Sequence, residues 1–317
     1  MKRYLLAFAL VFMITLPVVL AITSFRSADV QLLRKAYEAR PTAVYLLGNS
    51  VIDHSSKCDK DHRSIAAMLS AAMGTEVVDM SKGGMQFSEY TDIVSLLSTK
   101  QNAATLVVPL VPDMTDEAYW HRNDDIFRHL GYSAASFRFP TRLKDLVPVK
   151  SPVNIDNTPQ VFEGRRYGTA KEIQTRFMAK EKAATTCPEI DALDADFFRY
   201  SHWRQASRIG PSARFASELH RINQVARDQR WQVIYVLMPL NKNGYGRTGE
   251  TLSTQKIQQI QAWMVTQLAM MGADFIDLTD SVKSSSFVDR WCACGHLGDD
   301  GRQVVALALA KKLKRSE

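Results

Sequence analysis

Apolar residues gather along this chain in short uninterrupted runs, which alternate with stretches where they recur every three or four positions. Ala43 to Leu47 is wholly apolar after Pro41, as expected of a central parallel strand buried on both faces. From about Asp61 to Met73, Ile65, Met68, Leu69 and Ala72 recur at helical spacing until Gly74 stops them. TEVVDMS (75–81) predicts a second strand, with a Gly83-Gly84 turn and a helix around Ser88 to Leu97 behind it. ATLVVPLV (104–111) predicts a third strand. Pro211 to Trp231 is a long amphipathic helix, followed by the strand QVIYVLMPL (232–240). A helix from about Thr254 to Met271, the strand DFIDL (274–278) and a helix from Asp300 to Leu313 close the pattern.

Strand and helix alternate through short loops, so the expected fold is α/β. It is a flavodoxin-like three-layer α/β/α sandwich around a parallel sheet of about five strands. The alternation is interrupted once. Residues 114–209 form aromatic, charged and proline-containing pieces without a clear period, too long for an ordinary loop, and are expected to be an insertion packed over one end of the sheet.

At 317 residues, 46% hydrophobic and 23% charged, the chain can fill a large core. The formal charge of +7 is spread out, and no basic run is interleaved with aromatics, so a nucleic-acid partner is not expected. The N-terminus changes the picture more. Met1-Lys-Arg precedes Tyr4 to Ile22, nineteen residues without a charge, and ~20 helical residues cross a ~30 Å hydrocarbon core. Val19-Leu-Ala21 also satisfies the small-residue rule for signal cleavage, so residues 1–29 read as an uncleaved membrane anchor or a cleaved signal peptide. Either way residues 30–317 are expected outside the cytoplasm, periplasmic or extracytoplasmic, with Lys2 and Arg3 left inside. In such an oxidising space Cys58, Cys187, Cys292 and Cys294 can pair in three connectivities, with free thiols as the alternative. Cys-x-Cys lacks the loop of a zinc knuckle, and no metal or organic cofactor is implied.

In open parallel sheets ligands bind beyond the carboxyl ends of the strands. Ser50 follows the first strand in VYLLGNSVID, Gly83 and Gly84 follow the second, Asp113 the third and Asn241 the fourth. His296 stands before the last helix in WCACGHLGDDG. A nucleophilic serine needs a base, an acid that orients the base, and donors for an oxyanion. Ser50 fits the nucleophile and His296 the base, and Asp289 or Asp113 is available for the acid. The N–H of Ser50 or Val51, that of Gly84 and a side-chain amide are the candidate donors. Each residue also has an ordinary reading. Gly-Asn-Ser after a strand suits turn chemistry and helix capping, and Gly83-Gly84 suits a tight turn. His54 and His62 read as loop or helix-start residues, while His121, His129 and His202 lack paired metal spacing. Asp299-Asp300 reads chiefly as a cap and dipole feature.

GNS after the first strand, DMSKGG after the second and HLGDDG opening the last helix resemble the SGNH/GDSL hydrolases. YVLMPLNKNGY and HLGDDG are more closely similar to the exported, membrane-anchored branch typified by the D-alanyl-lipoteichoic acid biosynthesis esterase and the alginate O-acetylation proteins. The likeness is scattered over about 42–113 and 211–313. It implies Ser50 as nucleophile, His296 as base and Gly84 as an oxyanion donor. Two departures stand out. VPLVPDMTDE replaces the family's Gly-x-Asn-Asp after strand three, so Asn49 or Asn241 would have to supply the amide. The acid's usual place, three residues before the histidine, is Ala293, and the nearest upstream carboxylate is Asp289. A bridge from Cys58 to Cys292 or Cys294 would tie the nucleophile loop to the base loop and leave Cys187 for the other.

The expected activity is a serine esterase or O-acyltransferase acting on acyl, chiefly acetyl, esters of a cell-envelope or secreted glycan. The resemblance also implies a membrane-bound O-acyltransferase as partner. The alternative is a catalytically silent relative that binds glycan or scaffolds a membrane acylation complex.

Overall fold

The computed structural model describes residues 43–53, 55–56, 58–83, 85–98, 105–116, 160–162, 165–168, 209–242, 251–288 and 295–315, together with 32, 35, 38 and 172. Five parallel strands form the central sheet: β1 (Val44–Gly48), β2 (Val77–Ser81), β3 (Thr105–Leu110), β6 (Gln232–Leu237) and β7 (Asp274–Asp277). Their order is β2-β1-β3-β6-β7. This is the doubly wound, flavodoxin-like order, in which the chain reverses direction across the sheet between β1 and β3. The expected α/β architecture is therefore present, with its switch point directly beyond the end of β1.

The interior strands are apolar on both faces because both are covered. Leu46, Leu47, Leu106, Val107, Val108, Ile234 and Val236 are all fully buried, and burial of each such side chain contributes about 1.5–3 kcal/mol. The edge strand β7 is only partly covered; Lys312 pairs with its Asp274 at 2.5 Å.

The helices are α1 (Ser50–Asp53), α2 (Ile65–Met73), α3 (Phe87–Ser98), α4 (Ala213–Asp228), α5 (Thr251–Met270) and α6 (Asp299–Leu313). On one face α6 packs on α2, and Lys314 Nζ donates to the Ala72 carbonyl at 3.0 Å. On the other, aromatic rings join α3, α4 and α5: Phe87 to Phe215 at 4.4 Å and Phe215 to Trp263 at 5.9 Å. Local chemistry sets the ends. Ser64 caps α2 by accepting from Ala67 N–H, and Gly74 closes it in the left-handed region at φ 71°. Asp61 to Arg63, expected inside that helix, instead form the loop before its cap.

Most of the expected insertion lies outside the described residues, as do the apolar N-terminal run, Gly84, Asp289, Cys187, Cys292 and Cys294. Within 114–209 the structure adds an antiparallel pair, β4 (Gln160–Phe162) with β5 (Arg165–Gly168), which the aperiodic sequence did not suggest. The exit of the insertion is anchored: Gly210 N–H donates to Thr115 Oγ1 at 3.2 Å, and Ile209 packs with Leu240 and Ile257. No helix among the described residues is long and apolar enough to cross a membrane.

Candidate active site

The turn from β1 into α1 is unusually tight. A Cβ placed on Gly48 would lie 2.5 Å from Ile52 Cβ and 2.9 Å from Ser81 Cβ, so only glycine lets the helix fold back over the strand end. The backbone of Asn49 then starts the helix, its carbonyl accepting from Ile52 N–H at 3.0 Å and Asp53 N–H at 3.1 Å. Its side chain is the cap: Asn49 Oδ1 accepts from Val51 N–H at 3.0 Å. That bond spends the Val51 N–H, which therefore cannot be an idle oxyanion donor. Ser50 is left as the first helical residue, half-buried, with neither its hydroxyl nor its N–H bonded to another described residue.

Beneath the turn, Tyr90 is fully buried, with the Asn49 N–H directed at its hydroxyl. Burial pushes its phenol well above the usual range and the neighbouring Glu89 charge adds to this, while the Asn49 N–H works the other way. Glu89 is itself buried at the start of α3, where its carboxylate accepts from Gln86 N–H at 2.5 Å and faces Lys82 Nζ at 3.9 Å. On the neighbouring strand end Ser81 Oγ makes a very short bond to Asp79 Oδ1. Lys82 N–H continues the ladder to the Gly48 carbonyl at 3.0 Å. Gly83 is exposed, and a Cβ there would meet nothing within 4 Å, so no steric demand fixes a glycine at that position.

The loop before α6 comes to the same place from the far end of the chain. Gly295 adopts φ 75°, a conformation that favours glycine, and a Cβ on it would lie 3.6 Å from Val51 Cγ2. The residue before His296 thus abuts the residue after Ser50. His296 is half-buried, and its carbonyl accepts from Val288 N–H at 2.9 Å beside the Phe287–Leu297 bridge. Gly301 lets the helix start close in: its Cβ would be 2.9 Å from the Ser286 carbonyl.

Side chains outside the sequence-derived set lock the two loops together. Asp299 Oδ2 accepts from Lys60 N–H at 3.2 Å and Asp61 N–H at 3.3 Å, so this residue reaches across loops and does more than favour the helix dipole. Burial opposes its charge, yet the N–H groups of Asp300, Asp61 and Lys60, helped by Arg302, hold its carboxyl below the usual range. Arg302, fully buried, bonds Asp59 Oδ2 at 2.7 Å, the Leu297 carbonyl at 2.9 Å, the Arg63 carbonyl at 3.0 Å and the Asp61 carbonyl. A signal for Arg302 exists in the sequence: it lies on the stripe of Val305, Ala306, Leu309 and Leu313, an inward register where an arginine needs a partner.

Asp113 is half-buried in the 3-10 turn Pro112–Thr115 after β3, next to β1 across the switch point. Asn241, 1% exposed, lies beyond β6, one strand further away. Cys58 is disulfide-bonded, and no cysteine among the described residues is free. Its bonding partner falls outside the described residues. No His, Cys, Asp and Glu cluster suited to a metal occurs among the described residues. A groove of about 480 Å³ lined by His220, Arg221, Arg227, Met270 and Met271 lies at the carboxyl ends of α4 and α5. In this topology that is the end of the sheet opposite Ser50.

No family model matches the chain, and no curated protein matches it. Among solved structures it is similar to a candidate acylhydrolase from Bacteroides fragilis at 9% identity and TM-score 0.46, covering 92% of this chain and 99% of that one. A GDSL-like lipase from Bacteroides thetaiotaomicron is 7% identical with TM-score 0.42, covering 92% and 98%. An acetylxylan esterase from Geobacillus stearothermophilus is 7% identical with TM-score 0.42, covering 86% and 93%.

Proposed function

We propose that this chain is an extracytoplasmic SGNH-type serine esterase or O-acyltransferase, acting on acyl esters of a cell-envelope or secreted glycan. The observation that carries the reading is the close approach of Gly295 to Val51, where an added Cβ would lie 3.6 Å from Val51 Cγ2; it brings the loops of His296 and Ser50 side by side although 246 positions (296 − 50) separate them. Ser50 adds a hydroxyl without a partner among the described residues, at the first turn of a helix beside the sheet's switch point. Extracytoplasmic location is supported by the uncharged run Tyr4 to Ile22 and by the disulfide of Cys58.

In this mechanism Ser50 Oγ attacks the ester carbonyl while neutral His296 takes its proton. The tetrahedral oxyanion is held by the Ser50 N–H, with Gly84 N–H and the Asn49 side-chain amide as further donors. His296 then protonates the departing alcohol, which leaves Ser50 acylated. Water or a sugar hydroxyl gives its proton to His296 and attacks the acyl carbon, and the proton returns to Ser50. Asp289, or Asp113 across the switch point, would orient the imidazole. A membrane-bound O-acyltransferase is the proposed source or recipient of acyl groups.

A fluorophosphonate probe and a chromogenic acetyl ester test the reading on folded, oxidised protein. Labelling and turnover should disappear in Ser50→Ala and fall by at least about 100-fold in His296→Ala. One observation favours the alternative of a silent glycan-binding or scaffold protein: Pro112, which has no N–H to donate, opens the turn after β3 where the resembled family carries Gly-x-Asn-Asp. Wild-type protein that neither labels nor turns over would select that alternative.

A further inference from the structure

Arg302 is fully buried, yet its place on α6 does not depend on a charge there, because Val305, Ala306, Leu309 and Leu313 already seat the helix. Among the described residues the carboxylate bonded to it is that of Asp59, whose side chain is only 8% exposed. Replacing a buried ion pair by apolar groups is often neutral or stabilising, so an apolar residue would serve a purely adhesive role as well. What an apolar residue cannot do is fix direction. The planar guanidinium presents donors in a rigid fork, and here the fork spans two loops distant in sequence. Nη1 holds the carbonyl of Leu297, the residue after His296, at 2.9 Å and Asp59 Oδ2 at 2.7 Å. Nε holds the Arg63 carbonyl at 3.0 Å, and Nη2 the Asp61 carbonyl. Asp59 passes the order on, since the same Oδ2 accepts from Ser56 N–H at 2.8 Å, three residues beyond α1.

We infer that Arg302 is a positioning residue that sets the separation of the Ser50 hydroxyl and the His296 imidazole; the inference rests on the serine-esterase reading. Arg302 acts only through the backbone of the two loops and touches no reacting atom. A misplacement of about 1 Å in such a pair can cost about 100-fold in rate.

The test compares Arg302→Met, Arg302→Lys and Asp59→Asn with wild type in the full-length oxidised chain, by steady-state hydrolysis of a chromogenic acetyl ester and by the rate of fluorophosphonate labelling. Rates are expressed per folded molecule, from thermal unfolding of the same samples. The expected result for Arg302→Met is a kcat about 10- to 100-fold lower with KM within about twofold. Arg302→Lys keeps the charge without the fork and should stay closer to Met than to wild type; Asp59→Asn should fall between. Combined with His296→Ala, Arg302→Met should add little, because the base whose place it sets is gone. A merely structural clamp would lower the melting temperature and leave kcat of the folded fraction unchanged, and that result overturns the inference. So does a full additional loss in the double variant. If Arg302→Met does not fold, Arg302→Lys and Asp59→Asn make the same comparison. Failure of the esterase reading is separable, since wild type itself would then neither label nor turn over.

Discussion

Two loops leave neighbouring strands at the same rim, and they are built differently. The loop after β1 is closed on itself and on the far end of the chain: Gly48 permits the fold-back, Asn49 caps α1, and Asp59 and the Lys60 and Asp61 N–H groups bond to Arg302 and Asp299. The loop after β3 turns through Pro112–Thr115 and gives its hydroxyl at Thr115 to the exit of the insertion at Gly210. Ser50 sits in the tied part of the first loop, yet its hydroxyl has no partner among the described residues, whereas the second loop commits the Thr115 hydroxyl to another segment. The difference teaches where to look for chemistry on a doubly wound sheet. A reactive side chain is best found where the surrounding backbone is over-determined and the side chain is idle.

The sharpest way to break the comparison is to force the first loop open. Gly48→Ala puts a Cβ 2.5 Å from Ile52 Cβ and 2.9 Å from Ser81 Cβ, both atoms held by their own backbone in a packed interior. The expected cost is about 3 kcal/mol, at the upper end for overpacking, together with loss of most Ser50 labelling as the turn shifts. Gly83→Ala is the control, since nothing lies within 4 Å of its added methyl. It should melt within about 2 °C of wild type and label normally. Equal effects in the two variants, read by thermal unfolding and labelling, would show that the fold-back is not what fixes Ser50.

A middle-sized effect sharpens the same contrast. Asn49→Ala removes the cap bond to Val51 N–H, worth about 1 kcal/mol, and takes away a proposed oxyanion donor. Its kcat/KM should fall about 10-fold or more per folded molecule. Thr115→Val removes a hydroxyl that accepts from Gly210 N–H and donates to the Pro112 carbonyl at 2.9 Å. It should cost a similar 1–2 kcal/mol while leaving the kcat of folded protein within twofold. Stability would then be shared by both loops and rate confined to one. A comparable rate loss in Thr115→Val would place the third-strand loop in the chemistry as well.

The sheet was legible because each interior strand is apolar on both faces, a pattern that names a covered parallel strand with little ambiguity. Helix ends were legible where a single residue decides them, as Gly74 does, and less so where a cap lies inside a polar run; Ser64, not Asp61, begins α2. Ser50 and His296 could be singled out since topology alone sends strand ends and the last helix start to one rim. The clamp could not. Asp59 and Arg302 are 243 positions apart, and nothing local says that one loop carbonyl should face another loop's guanidinium. Only the inward register of Arg302 hinted that a partner was required. The β4–β5 pair was hidden for a different reason. Its strands are three and four residues long, too short to show an alternation along the sequence.

The smallest expected effect concerns acid. The Arg63 side chain bonds the Asp61 carboxylate at 2.6 Å and, with the Arg63 N–H, holds its pKa at about 2 against the ordinary 3.8. A carboxyl whose folded value is depressed contributes stability in full above its unfolded value and loses it as pH falls through the folded one. Asp61 therefore helps at pH 5 and above and stops helping between about pH 4 and 2. Asp61→Asn should melt slightly below wild type at pH 5, and the two curves should converge as pH approaches 2. Because the pair is exposed, 0.5 M salt should shrink the gap. Asp299 is held down too, but by the backbone N–H of its neighbour Asp300 and those of Asp61 and Lys60 in the facing loop, so Asp299→Asn should show the same convergence with little response to salt. Melting curves against pH at two salt concentrations check both. A salt-insensitive Asp61 would mean that the loop after α1 is more enclosed than its exposure indicates, and the line between the tied interior of that loop and its free surface would have to be redrawn.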